Sequence, residues 1–81
     1  MKLPRDISGA ALARLLRRLG YQITRQSGSH LRLTTTEQGQ HHVTVPNHDP
    51  LKVGTLSGVL GDVAAHFQIS RAELAQRLFG A

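Results

Sequence analysis

The chain has 81 residues, no cysteine and a formal net charge of +5, which indicates one small domain without a disulfide framework. Residues 1–6 lack the apolar stretch of a signal peptide, and no apolar run approaches membrane-spanning length, so we expect a cytoplasmic protein with no membrane contact. Ten Lys and Arg residues against five Asp and Glu favour nucleic acid or an acidic protein as partner, although such a charge also serves solubility.

The first predicted element is an amphipathic helix between Ser8 and Gly20. Ser8 is suited to cap the helix N-terminus, and Gly20 suits the left-handed position that often follows a helix. Leucines recur at helical spacing and form one apolar stripe: Leu12, Leu15, Leu16 and Leu19. The arginines of the opposite face are interpreted as a solvated surface and not as a direct nucleic-acid contact: Arg14, Arg17 and Arg18.

Three short strands are predicted next, over residues 21–26, 30–36 and 40–45. In the second strand Leu31 and Leu33 alternate with polar residues, so one face of the strand is apolar and the other is polar. The third strand alternates in the same way. The sequence therefore predicts a sheet with one buried and one polar face.

The connection Glu37-Gln38-Gly39 suits a three-residue hairpin loop in which Gly39 takes the left-handed position. This loop sets the register of the second and third strands, in which Leu33 lies opposite Val43 and Leu31 opposite Val45. By the same register His30 lies opposite Pro46 and close to His48, although a slip of one residue would reverse the faces.

Two further helices complete the predicted order α-β-β-β-α-α. The second helix begins near Gly54 and Thr55, and its buried stripe is expected to contain Leu56, Val59, Leu60, Val63 and Phe67. The third begins after Ser70, which with Glu73 matches a capping box. This order predicts the α+β class, with a three-stranded antiparallel sheet and helices on one face.

Several segments together resemble a known family. They are RQSGSH at 25–30, VTVPNH at 43–48 and LKVGTL at 51–56, preceded by ISG at 7–9 and GY at 20–21. In this order they resemble the HicA (YcfA-like) toxin family, small ribonucleases of bacterial and archaeal toxin–antitoxin pairs. The resemblance implies one HicA-like toxin domain over residues 1–81, with the αβββα arrangement of double-stranded-RNA-binding domains and an additional C-terminal helix.

The resemblance implies that His30, preceded by Gly28 and Ser29, is the catalytic residue of a metal-independent endoribonuclease that cuts mRNA. Histidine suits general acid–base catalysis because its ordinary pKa is about 6.5. Without the resemblance, His30 would be interpreted first as an ordinary exposed strand histidine.

Arg32 shares its parity with His30 and is the stronger candidate for binding the scissile phosphate. Arg25 shares its parity with Ile23, so it reaches the polar face only if the strand ends or twists before it. His48 is either a second acid–base group or a surface loop residue.

Further RNA-binding positions are expected beside the histidine and at the start of the second helix. Ser29 belongs to the turn before His30. Unpaired N–H groups at a helix start favour a phosphate, so Lys52, Gly54 and Thr55 are candidates for binding one. In the alternative interpretation, Gly54 and Thr55 merely begin the helix.

No metal ion or small-molecule cofactor is expected. His41 and His42 are neighbours on a strand and point to opposite faces, so they cannot readily bind one ion, and no zinc spacing is present. The aromatic residues Tyr21, Phe67 and Phe79 are expected in the core, which leaves no platform for stacking bases. We therefore expect RNA to be bound through its backbone, with weak sequence preference.

Three functions remain open from the sequence. The first is an mRNA-cleaving toxin neutralised by a HicB-type antitoxin protein, a partner that the resemblance implies. The second is a non-catalytic RNA-binding module in which the same basic face holds a duplex and His30 is incidental. The third is a protein-interaction domain that needs its partner for stability. The turn Gly28-Ser29 before His30 favours the first over the second, whereas loss of RNA binding at physiological salt would favour the third.

Overall fold

The computed structural model describes residues 3–80, and its helices and strands follow the order predicted from the sequence. The elements are α1 (Gly9–Leu16) with a 3-10 turn (Arg17–Leu19), β1 (Gln22–Ser27), β2 (His30–Thr35), β3 (His41–Pro46), α2 (Val53–Phe67) and α3 (Arg71–Phe79). The strands form one antiparallel sheet in the order β1-β2-β3. The predicted α+β class is confirmed, with element ends shifted by a residue or two. No helix within the described residues has the length and hydropathy to cross a membrane.

The register of β2 and β3 fixes which face of the sheet is buried. Leu31 pairs with Val45 and Leu33 with Val43, as predicted, and all four side chains are buried in the core that α1 and α2 share with the sheet. Burial of each such side chain stabilises the fold by about 1.5–3 kcal/mol. A slip of one residue would expose these four side chains, so the two aliphatic pairs also determine on which face of the sheet His30 lies.

The predicted caps delimit the helices. Ser8 Oγ accepts a hydrogen bond of 3.0 Å from the Ala11 N–H, and Ser70 Oγ accepts one of 3.0 Å from the Glu73 N–H. The predicted apolar residues of α2 are buried, except that Phe67 is only half-buried. These local signals therefore mark where α1 and α3 begin; α1 and α2 pack on the sheet, and α3 packs on α2.

The segment between β3 and α2 is held against the start of α1. The Gly9 N–H donates to the His48 carbonyl at 2.9 Å, and the Leu51 N–H donates to the Ile7 carbonyl at 2.8 Å. Gly9 approaches this segment so closely that a Cβ atom would clash with the Pro46 carbonyl oxygen. The backbone that follows β3 is thus fixed by direct contact with the first turn of α1.

The three arginines interpreted as a solvated surface have different environments. All three are exposed, as predicted. The guanidinium of Arg18 in addition donates to the carbonyl oxygens of Arg77, at 3.2 Å, and Leu78, at 3.4 Å. Arg18 therefore satisfies carbonyl groups at the C-terminal end of α3, which have no partner within that helix.

Candidate functional site

One face of the sheet points away from the helices and is polar throughout; we call it the open face. Its side chains are Thr24, Arg25 and Ser27 of β1, His30, Arg32 and Thr34 of β2, and His42 and Thr44 of β3. All five Asp and Glu residues lie among the described residues, and none of them is on a strand. The open face therefore carries basic and neutral side chains without a carboxylate.

Cα pairing arranges the open face in rows across the sheet. His30 lies between Ser27 and Pro46, and in the next row Arg32 pairs directly with Arg25. Directly paired Cα atoms are about 4.5–5.5 Å apart, and same-face residues along a strand are about 6.6 Å apart. The Cα atoms of Arg25 and Arg32 are therefore neighbours, one row from that of His30, on the same face of the sheet.

A β-bulge in β1 brings Arg25 onto the open face. The register between β1 and β2 shifts between Ile23 and Arg25, so Thr24 is the extra residue. Strict alternation from Ile23 would have directed Arg25 to the covered side, and the bulge reverses this parity. Thr24 Oγ1 lies 2.8 Å from Thr34 Oγ1 and therefore also belongs to the open face. The sequence indicated that Arg25 could reach the open face only if β1 ended or twisted before it. It gave no sign of the bulge that brings this about.

His30 follows a two-residue turn, Gly28 and Ser29, between β1 and β2. Gly28 has φ +56°, a conformation that suits glycine and that tight hairpin turns require. The Ser29 carbonyl accepts a hydrogen bond of 2.6 Å from the Asn47 N–H, which ties the turn to the segment after β3. Within residues 3–80 the exposed imidazole of His30 makes no hydrogen bond, so both ring nitrogens are accessible to a substrate.

The other candidates lie along the connection to α2. His48 is exposed, two residues beyond Pro46, the partner of His30 in the sheet. Lys52 is the exposed N-cap residue of α2, but its side chain makes no capping hydrogen bond. Gly54 and Thr55 lie in the first turn of that helix. No hydrogen bond within the described residues joins these four residues to the open face. Among the basic candidates, Arg25 and Arg32 are the ones that strand pairing places one row from His30.

Sequence reasoning missed an aromatic cluster on the covered side, at the end of the sheet opposite His30. The Tyr21 hydroxyl lies 2.7 Å from His41 Nδ1, and the His41 ring stacks on that of His66 with centroids 4.4 Å apart. His66 Nε2 donates to the Glu37 carbonyl at 2.8 Å. Burial, and next the proximity of His66, lower the pKa of His41, while burial raises the pKa of Tyr21 to about 12. The cluster links α2 to β3.

The two neighbouring histidines of β3 point to opposite faces, as predicted: His41 pairs with Thr35 and His42 with Thr34. In the part of the chain that the structure describes, no three His, Asp or Glu side chains come close enough to hold a metal ion. His42 Nδ1 lies 2.7 Å from Thr34 Oγ1, which extends the hydrogen-bonded line that starts at Thr24. His42 is therefore engaged within the protein, whereas His30 is not.

The open face offers chemistry for a phosphodiester. Imidazole transfers protons near neutral pH, and guanidinium groups bind phosphate oxygens through two parallel hydrogen bonds. The one ion pair within residues 3–80 joins Glu73 to Arg77 on α3, so no carboxylate neutralises Arg25 or Arg32. An anion that reaches His30 would meet both charges.

A family model described as "HicA toxin of bacterial toxin-antitoxin" matches residues 9–64, well over half of the 81 residues. No match was found among curated proteins or solved structures. The matched range begins at Gly9, contains the whole open face and ends within α2, so α3 lies outside it.

Proposed function

This chain belongs to the HicA toxin family of bacterial toxin–antitoxin systems, and we propose that it is a metal-independent endoribonuclease that cuts mRNA and is held inactive by a HicB-type antitoxin. The observation that carries the proposal is the exposed, unengaged His30 one row from Arg25 and Arg32 on a face without carboxylates. Family membership itself supports the role of toxin with an antitoxin partner, and the site supports the reaction.

In the proposed reaction the RNA supplies its own nucleophile. The 2′-oxygen attacks the adjacent phosphorus, the bond from phosphorus to the 5′-oxygen breaks, and the products are a 2′,3′-cyclic phosphate and a 5′-hydroxyl. His30 takes the proton of the 2′-hydroxyl as general base. The leaving 5′-oxygen gains a proton, for which His48 is the candidate donor because it follows the strand paired with His30.

The arginines are proposed to stabilise the negative charge that develops on the phosphate oxygens in the transition state. Arg32 and Arg25 lie in one row and can donate to the non-bridging oxygens of the same phosphate. Lys52, Gly54 and Thr55 are proposed to bind a neighbouring phosphate at the start of α2, where free N–H groups and the helix dipole favour an anion. Ser29 contributes through the turn that presents His30.

A second candidate function is a non-catalytic RNA-binding module. The observation that favours it is the isolation of His30, whose imidazole has no hydrogen-bonded partner within residues 3–80 to orient it or share its proton. In that case the same basic face binds RNA without cutting it.

The test is cleavage of a labelled RNA by purified wild-type chain and His30→Ala in the presence of EDTA. We expect wild type to produce cyclic-phosphate ends, and His30→Ala to be slower by about 10²–10⁴-fold, the usual contribution of a general acid or base. His42→Ala is the matched control, since it removes an exposed histidine of the same face and should retain most of the rate.

Comparable rates for His30→Ala and wild type, with both proteins folded, would contradict the assignment of His30. Loss of activity in EDTA that a divalent ion restores would move the mechanism to a metal-activated water. RNA binding without cleavage by the wild type would favour the binding module.

A further inference from the structure

A groove lies between α1 and β1 on the covered side of the sheet, away from the open face. Its volume is about 530 Å³, and its lining includes Ala10 and Ala13 of α1, Ile23 of β1 and Leu31 of β2, with Arg14 and Arg17 alongside. We call it the α1–β1 groove. It contains no residue of the proposed catalytic machinery.

The groove exists because the helices do not cover β1. All six residues of β1 are exposed, whereas β2 and β3 alternate between buried and accessible side chains. Ile23 is 54% exposed although it pairs with the fully buried Leu33. Ile23 and Val53 are the two large aliphatic side chains that remain exposed within the described residues. An apolar surface with a basic border is therefore left uncovered by residues 3–80.

We propose that the α1–β1 groove binds a segment of the antitoxin that carries an aliphatic side chain flanked by carboxylates. The aliphatic group would cover Ile23 and the two alanines, and the carboxylates would pair with Arg14 and Arg17. Neither arginine has an acidic partner within residues 3–80, where the one ion pair is on α3. This inference rests on the antitoxin partner that the family implies and not on RNA cleavage.

The lining favours a protein over RNA as the occupant. A phosphodiester backbone gains nothing from contact with Ile23, Ala10 or Ala13, and the groove offers no aromatic ring on which a base could stack. Protein interfaces instead combine an apolar centre with arginine side chains, which are enriched there relative to other surfaces. The combination seen here matches that composition.

The position of the groove defines how it would act. Because it lies on the side of β1 opposite to Arg25, a segment bound there leaves His30 uncovered. It would anchor the antitoxin at the edge of the sheet, while other parts of the antitoxin reach the open face.

The test measures the affinity of a purified HicB-type antitoxin for groove variants, all built on His30→Ala so that the producing cells survive. Ile23→Asp and the pair Arg14→Gln with Arg17→Gln are each expected to weaken antitoxin binding at least tenfold. Val53→Asp is the matched apolar control because Val53 is also 54% exposed. Arg5→Gln with Arg71→Gln is the control for net charge. Both controls should lose less than threefold.

Affinity for a single-stranded RNA is measured in parallel, with circular dichroism to verify folding and Ile23→Ser as a milder variant. Equal losses in the groove and control variants, or wild-type antitoxin affinity in the groove variants, would overturn the inference. Groove variants that lose RNA binding and keep the antitoxin would assign the groove to RNA. If the parent chain does not bind the antitoxin, the inference fails, while the cleavage assay on His30 still decides the enzymatic proposal separately.

Discussion

The two faces of the sheet are built from alternate residues of the same strands, and their side chains meet opposite requirements. On the covered face mainly aliphatic side chains fill the core, and the buried hydroxyl of Thr35 donates to the Leu19 carbonyl at 2.9 Å. On the open face the side chains of His30, Arg25 and Arg32 make no ion pair or hydrogen bond with any residue of the described range 3–80. Along β2, the residues that stabilise the fold therefore alternate with those proposed to act on RNA.

The largest effect that tests this separation is expected at Leu33, which is fully buried. Leu33→Ala should lower the free energy of unfolding by about 2–5 kcal/mol, because it removes apolar contacts and leaves a cavity. Arg32→Gln, one residue away, should change it by no more than about 0.5 kcal/mol. Urea denaturation measures both, and similar losses would show that the open face also carries stability.

A smaller effect is expected in RNA binding by the His30→Ala chain. If Arg32 and Lys52 each contact one phosphate, then Arg32→Gln and Lys52→Gln should each reduce the slope of log K against log salt by about 0.7 for single-stranded RNA. Arg14→Gln is the control, because Arg14 lines the groove on the other side of the sheet. A change of slope in Arg14→Gln alone would show that RNA binds on the covered side of the sheet and contradict binding at the open face.

The smallest expected effect is the pH dependence of the folding stability, which tests the covered face through His41. Burial lowers the pKa of His41 in the folded protein, so below pH of about 6.5 the unfolded chain binds more protons than the folded one. The stability should therefore be fully present above that pH and fall as the pH decreases through the folded-state pKa. Urea denaturation between pH 7.5 and 5 measures this change.

The matched variants for this titration are His41→Gln and His42→Gln, since these neighbours lie on opposite faces. The acid-dependent loss should be clearly smaller in His41→Gln and reduced much less in His42→Gln, because the charge of His42 is the smallest of the causes that shift the pKa of His41. Identical pH dependence in His41→Gln and wild type would show that another group is responsible.

The sequence predicted the features that depend on short-range patterns. The alternation of Leu31 and Leu33, with the left-handed Gly39 in the loop, was sufficient for the register that places His30 opposite Pro46. Ser8 and Ser70 marked helix starts because capping needs only a few neighbouring residues. Such local rules predicted the fold and the face on which His30 lies.

The features that sequence reasoning missed depend on contacts between distant residues. Arg18 reaches carbonyls of α3 that follow it by about 60 positions, and nothing near Arg18 indicates this. His41 and His66 stack only because α2 packs beside β3. The bulge at Thr24 similarly reflects how β1 fits against β2, which alternation within a single strand does not reveal.

The bulge also has a consequence for encounters between copies of this protein. β1 is an edge strand with all of its residues exposed, and such an edge can pair with the same edge of another molecule and begin aggregation. The extra residue at Thr24 interrupts the regular spacing of backbone donors and acceptors, and Arg25 carries a positive charge toward any second copy. The same irregularity that directs Arg25 toward a phosphate thus disfavours self-association of the chain when no partner covers it.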